Sequence, residues 1–351
     1  TDQMLTKLKN GLAKVVNKVS NLFTGEDAME TEKGYEFEYE EQGLAGAEFS
    51  IHARETIYSP DGQMDSEGNR IIRFEKDALV GTIVTDEKGK GTLNNLPIGK
   101  FYIKETKTGD SFVLDPKEQD FEITYQGQEV AVDYVTKEIK NQRQKVEIEV
   151  LKRSEATKEP LAGVSFGLYA GEDLLNAAGE IVVKKDELVA VGKTDEEGKL
   201  KYQDTIPHGK YYLKELENLP GYLPFEEKIE IDASYTDPKL EVISIQKEVE
   251  NQPTKVEITK TDITGEKEVE GAKLQILDKE GDVVEEWTST KEPHLIYALK
   301  PGKYILHEEQ APTENGYVKA EDVEITVEET GEIQKVSMKD DHSKIEITKT
   351  D

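Results

Sequence analysis

Three blocks of sequence recur along the chain in the same order, and this repetition limits the possible folds more than any other feature. Gly46-Ala47-Glu48-Phe49 returns as Gly163-Val164-Ser165-Phe166 and as Gly271-Ala272-Lys273-Leu274. Gly99-Lys100-Phe101-Tyr102-Ile103-Lys104-Glu105 returns as Gly209-Lys210-Tyr211-Tyr212-Leu213-Lys214-Glu215 and as Gly302-Lys303-Tyr304-Ile305-Leu306-His307-Glu308. Val256-Glu257-Ile258-Thr259-Lys260-Thr261-Asp262 returns at Ile345 to Asp351, with only the first residue changed. A period of about 90–110 residues is the size of a small domain and too long for a solenoid repeat. The chain reads as three tandem domains and the beginning of a fourth.

Inside each repeat the signal is β. Val146, Ile148 and Val150 alternate with Lys145, Glu147 and Glu149, and Tyr211 and Leu213 share a face with Glu215. Period-two alternation marks half-buried strands. Turns punctuate them at Thr85-Asp86-Glu87-Lys88-Gly89, Thr194-Asp195-Glu196-Glu197-Gly198 and Lys279-Glu280-Gly281-Asp282. Short strands with frequent turns in units of this size predict an all-β chain of tandem antiparallel β-sandwiches. The expected domains are 31–143, 144–253 and 254–342. Gln252-Pro253 and Asp341-His342-Ser343 are the short joints, and 343–351 is the first strand of a next repeat. Because that strand is cut off at Asp351, the expectation is an internal piece of a longer protein.

Residues 1–24 break the pattern. Met4, Leu5, Leu8, Leu12, Val15, Val16, Val19 and Phe23 recur at three- and four-residue steps. This predicts an amphipathic helix, with a linker to residue 30, packed on the first domain or on a preceding neighbour. A membrane-surface helix is the alternative, weakened by Gly11 and by the acidic remainder.

Composition removes several functions. The chain carries 45 Lys+Arg against 74 Asp+Glu, a net charge of -29, which opposes binding to nucleic acid. With no Cys there are no disulfides, thiol nucleophiles or thiolate metal sites. His52, His208, His294, His307 and His342 are scattered, and Asp61 to Asn69 fails the order of an EF-hand loop, so no metal is expected. No phosphate-binding loop, dinucleotide fingerprint or nucleophile elbow occurs, and no cofactor is expected. No apolar run is long enough to span a membrane.

The informative residues are charges placed on inward faces. Val146, Ile148, Val150 and Lys152 share one face, Tyr211, Leu213 and Glu215 another, and Val249 and Asn251 a third. The third domain repeats this with Val256, Ile258 and Lys260, with Tyr304, Leu306 and Glu308, and with Val336, Met338 and Asp340. Lys152 lies eleven residues before Gly163, and Lys260 eleven before Gly271. Asn251 lies four before Lys255, and Asp340 four before Lys344. Alternation selects Asp340 over Asp341. Burial of such groups without partners is costly, so each trio is expected to form a cluster.

These segments resemble the collagen-adhesin B-type (Cna B-like, SpaA-type) domains of Gram-positive surface adhesins and pilins. The resemblance rests on the first-strand Lys, the Gly-Ala-x-Phe-like turn and the Asp/Gly hairpin. It rests also on the run from Leu299 to Glu308 and on Ala311-Pro312 followed by Gly316-Tyr317. It implies a prealbumin- or immunoglobulin-like sandwich in which the Lys amine condenses with the Asn or Asp side chain, assisted by the Glu. Lys152–Asn251 and Lys260–Asp340 are then the expected isopeptide pairs, with Glu215 and Glu308 as proton shuttles and Lys349 as the donor of a next repeat. The chemistry suits the residue types. An apolar pocket favours the neutral, nucleophilic amine. A carboxylic acid in the same pocket can hydrogen-bond the acceptor carbonyl and move protons. Proximity in a folded core replaces a cofactor. Each site is consumed by its own reaction, so no turnover enzyme is expected.

The first domain departs from the pattern. Glu105 and Asn141 are present, but Tyr35-Glu36-Phe37-Glu38-Tyr39 has no Lys at the expected point. No crosslink is expected there, with Lys33 the fallback donor. The functional expectation is the stalk of a Gram-positive, wall-anchored, extracellular surface protein. Alternatives are a domain that binds a host or matrix ligand, with the first domain and its 54–80 insertion as the candidate, and a sortase-polymerised pilin using Lys117.

Overall fold

The computed structural model describes residues 3–5, 13–16, 34–59, 61–125, 135–176 and 178–350. The second and third domains share one plan. In the second, the strand Lys145–Ser154 lies between Lys199–Lys201 and Val242–Asn251 in a three-stranded sheet. A four-stranded sheet, in the order Leu188–Lys193, Ser165–Ala170, Gly209–Glu217, Ile229–Ala233, packs against it. The third domain has Lys255–Asp262 between His294–Tyr297 and Ile333–Asp340. Its four-stranded sheet runs Val283–Thr288, Lys273–Leu277, Gly302–Gln310, Val323–Val327. Apolar alternation fills the space between the sheets. Val146, Ile148 and Val150 meet Phe166, Leu168 and Leu213 in one core, and Val256 and Ile258 meet Leu274, Ile276 and Leu306 in the other.

Among the described residues, all strand pairings are antiparallel except one in each of these two domains. The first and last strands run parallel, in register from Lys145↔Val242 to Ser154↔Asn251 and from Lys255↔Ile333 to Asp262↔Asp340. A parallel pair requires a long crossover, and here the rest of the domain supplies it.

A hydroxyl clamp fixes the turn that leads out of the first strand. Thr194 Oγ1 accepts the Val164 N–H at 3.0 Å and donates to the Leu161 carbonyl at 2.7 Å. Thr85 does the same for Ala47 and Leu44, and Ser289 for Ala272 and Val269. Gly46, Gly163 and Gly271 have φ of 74°, 83° and 85°, a left-handed backbone that favours glycine at this point of the repeated block. Asp86, Asp195 and Asp278 each cap a hairpin by accepting two backbone N–H groups.

The first domain shows the four-stranded sheet, in the order Gln119–Ile123, Gly99–Lys107, Glu48–Ala53, Leu79–Val84. No three-stranded partner sheet occurs among its described residues. The aromatic stretch expected as its first strand lies instead against the second domain. Phe37 is buried in that domain's core, with Tyr35 and Tyr39 packed beside it. The Tyr35 hydroxyl donates to Glu187, and the Tyr39 hydroxyl donates to the Thr205 carbonyl at 2.7 Å. The 54–80 insertion forms a small hairpin, Ile57–Tyr58 with Ile72–Phe74.

The N-terminal helix is corrected where the chain is described. Gln3–Leu5 and Ala13–Val16 are short strands, paired antiparallel with Glu40–Gln42 and Gly34–Phe37. β-branched Val15 and Val16 suit an extended backbone, and edge strands offer unpaired hydrogen-bonding groups to extended chain. The remainder of the expected helix lies outside the described residues. At the other end, residues 343–350 have no regular secondary structure, and Ile345, Ile347 and Lys349 are exposed.

Candidate crosslinking sites

In the second domain the parallel register sets Lys152 opposite Val249, so Asn251 lies two residues further along the neighbouring strand, on the same face. Glu215 reaches the same point from the opposite sheet, at the end of Gly209–Glu217. The Lys152 amine contacts Asn251 Oδ1 and lies 3.1 Å from Glu215 Oε2. Asn251 Nδ2 donates to both Glu215 oxygens, at 3.0 and 3.1 Å, and to Asn218 Oδ1 at 2.7 Å. The Phe225 N–H holds Glu215 Oε1 at 3.2 Å. The Lys152 and Glu215 side chains are 0% and 2% exposed. Two aromatic rings, Phe166 and Phe225, stand 5.6 and 5.7 Å from the amine. Burial pushes the Lys152 amine below its ordinary pKa, against the opposing pull of the Glu215 carboxylate.

The third domain builds the same site with a carboxyl in place of the amide. Lys260 lies opposite Met338, and Asp340 is again two residues further. The Lys260 amine contacts Asp340 Oδ1 and lies 3.0 Å from Glu308 Oε1. The Ala320 N–H donates to Glu308 Oε2 at 2.6 Å. Burial raises the Asp340 carboxyl above the usual range. Lys260 works against that rise, and Glu308 adds to it. A raised pKa favours the protonated carboxyl, the form from which water can leave when an amine attacks.

Among its described residues, the first domain has the counterparts of the glutamate and the acceptor, without a lysine beside them. Asn141 Nδ2 donates to Glu105 Oε1 and Oε2 at 2.9 and 2.8 Å, to Thr108 Oγ1 at 3.1 Å and to the Val113 carbonyl at 2.9 Å. The Asp115 N–H donates to Glu105 Oε2 at 2.8 Å, and burial raises the Glu105 carboxyl. Asn141 Oδ1, which corresponds to the atom that meets the amine in the second domain, is buried and has no hydrogen-bond partner among the described residues. Lys33, the fallback donor, lies outside the described residues. Lys117 is exposed in the loop before Gln119–Ile123, where its N–H donates to Asp115 at 3.1 Å.

Sequence reasoning missed Thr108 and Asn218. Both stand three residues after the Glu, just past the end of its strand, where the third domain has Ala311. Comparing that position across the repeats was the available signal. Among the described residues no group of three or more potential metal ligands occurs, and no helix is long and apolar enough to cross a membrane.

Comparison with known proteins gives the family. The model of the SpaA prealbumin-like fold domain matches three times, at residues 36–138, 146–248 and 254–342. Among solved structures, the chain is similar to the Bacillus anthracis TIE protein, with 26% identity and a TM-score of 0.47, over 86% of this chain and 48% of that one. It thus spans about half the length of that protein. BcpA, the major pilin subunit of Bacillus cereus, is 17% identical with a TM-score of 0.33, over 86% and 96% of the two chains. The shaft pilin SpaA of Lactobacillus rhamnosus GG is 14% identical with a TM-score of 0.31, over 58% and 99%. Comparison with curated protein sequences gives no match. The three family matches take in most of the chain, which belongs to the SpaA prealbumin-like domain family and carries three such domains in tandem.

Proposed function

We propose that this chain is a load-bearing stalk segment of a Gram-positive cell-surface protein, anchored to the wall or polymerised by sortase. Its second and third domains are closed by spontaneous Lys152–Asn251 and Lys260–Asp340 isopeptide bonds. The observation that carries this reading is the shared register. In two domains of different sequence a buried lysine meets a buried acceptor two residues past its strand partner, with a glutamate against both.

The chemistry follows from that geometry. The neutral amine attacks the side-chain carbonyl carbon, and the Nζ–Cγ bond forms as the bond to the leaving group breaks. Glu215 or Glu308 takes a proton from the amine and delivers one to the departing group. Ammonia leaves from Asn251 and water from Asp340. Burial favours the reaction by desolvating the amine and by holding the partners in contact.

Mechanical consequences depend on the parallel pairing. Tension enters the second domain at Lys145 and leaves at Asn251, at opposite ends of one strand pair. A bond from Lys152 to Asn251 carries that tension past everything between them. Single-molecule stretching tests the reading. Only the first domain should release chain length, while the other two stay closed up to the rupture of covalent bonds. Unfolding of all three domains at ordinary forces would refute it.

A further inference from the structure

The acceptors proposed above are an amide in the second domain, Asn251, and an acid in the third, Asp340, and the two differ in symmetry. A carboxyl presents an oxygen to the lysine whichever way it is turned. A carboxamide must be turned the right way, since the reverse orientation sets an N–H₂ group against the amine. Something has to hold it.

We infer that the residue three after the glutamate sets the orientation of the acceptor and thereby matches each domain to an amide or an acid. This inference rests on the crosslinking reading above. In the second domain Asn251 Nδ2 has two N–H bonds to place. The Glu215 carboxylate takes one side of the group, and Asn218 Oδ1, at 2.7 Å, takes the other. Asn218 cannot turn its own nitrogen inward without losing a bond, because its Nδ2 donates to the Tyr222 carbonyl at 2.7 Å. The amide of Asn251 is therefore fixed with Oδ1 on the Lys152 amine. In the first domain Thr108 Oγ1 stands in the same place and accepts from Asn141 Nδ2 at 3.1 Å. The third domain, whose acceptor is Asp340, has the buried Ala311 at this position, with no side-chain acceptor to offer. Polar with amide twice, apolar with acid once, is the pattern expected if the residue's task is to hold the nitrogen of an amide and so fix which way the amide faces. During the reaction Nζ–Cγ forms, Cγ–Nδ2 breaks, and Glu215 passes the proton. The ammonia then departs from a site where Asn218 Oδ1 already accepts its N–H.

The test follows crosslinking of the full chain in time during cell-free synthesis. A short pulse of synthesis is followed by tryptic mapping of the 152–251 and 260–340 linkages by mass. The N218A variant should form the 152–251 linkage about tenfold more slowly, while N218T, which keeps an acceptor, stays near the parent rate. The 260–340 linkage in the same molecules is the control for folding and should not change. In the third domain D340N should slow its linkage, and adding A311N to D340N should restore part of the lost rate. Parent-like kinetics for N218A would overturn the inference. So would equal slowing by N218A and N218T, or a failure of A311N to help D340N. If the parent chain forms neither linkage, the crosslinking reading itself fails, and this inference fails with it.

Discussion

Lys152 and Asn251 are not strand partners. Lys152 lies opposite Val249, and Asn251 is reached diagonally, one side chain further along the same face of a parallel pair. The third domain keeps this offset with Lys260, Met338 and Asp340. The acceptor must sit past the donor's partner because a lysine side chain is long and leans along the strand. Direct opposition would leave no room for the chain to extend. The offset also leaves space for the glutamate, which enters from the opposite sheet and touches both.

Removing the glutamate should leave the fold and abolish the bond. Glu215→Ala is expected to keep the mass of the uncrosslinked second domain. It should lower that domain's stability by about 4–5 kcal/mol, the chain-entropy value for a closed loop of roughly one hundred residues. Urea unfolding of the parent and the variant measures the difference, and trypsin should cut the variant first.

Much of this was legible in the sequence. The repeated blocks located three domains, and period-two alternation placed Lys152, Glu215, Asn251, Lys260, Glu308 and Asp340 on inward faces. What alternation does not carry is the identity of a strand's neighbour, so the parallel pairing of first and last strands was not legible. Nor was the packing of Tyr35, Phe37 and Tyr39 on the second domain. Those residues alternate as a first strand should, but the surface they meet lies far along the chain, as in the hydrogen bond from Tyr35 to Glu187, 152 residues away. The N-terminal stretch misled because three- and four-residue apolar spacing does not exclude short strands, and Val15 and Val16 favour them.

Breaking one buried charge should cost more than removing the cluster. In the third domain Lys260→Ala leaves Glu308 and Asp340 facing each other without a cation. It should destabilise by about 3–5 kcal/mol beyond the loss of the crosslink. The triple replacement Lys260→Met, Glu308→Gln, Asp340→Ala should recover part of that cost. Thermal melting of the two variants compares them, and equal melting temperatures would contradict the expectation.

The first domain should remain uncrosslinked, with Asn141 recovered as an ordinary asparagine in tryptic peptides. Its Glu105–Asn141 pair then acts only as a buried hydrogen-bonded lock. Glu105→Ala removes the acceptor that the Asn141 amide and the Asp115 N–H share, and should cost about 1–3 kcal/mol in that domain, without any change in mass beyond the substitution.

His208 gives the second domain an acid sensitivity. Burial, with a smaller contribution from Arg143, lowers its pKa from the usual 6.5 to about 4, and its buried Nε2 has no hydrogen-bond partner among the described residues. Between those values the unfolded chain binds the proton and the folded domain does not. Its contribution to stability is therefore fully present above pH 6.5 and is lost as the pH falls toward 4. His208→Gln should flatten this part of the stability profile, as measured by urea unfolding across that range. An unchanged slope would assign the acid sensitivity elsewhere.

The central claim is covalent and is tested most directly by the intact mass of the purified chain under denaturing conditions. The expected mass is that of the sequence less one ammonia and one water, with the losses mapped to Lys152–Asn251 and Lys260–Asp340 and absent after Glu215→Ala and Glu308→Ala respectively. A parent chain with the full, unmodified mass of its sequence would contradict it.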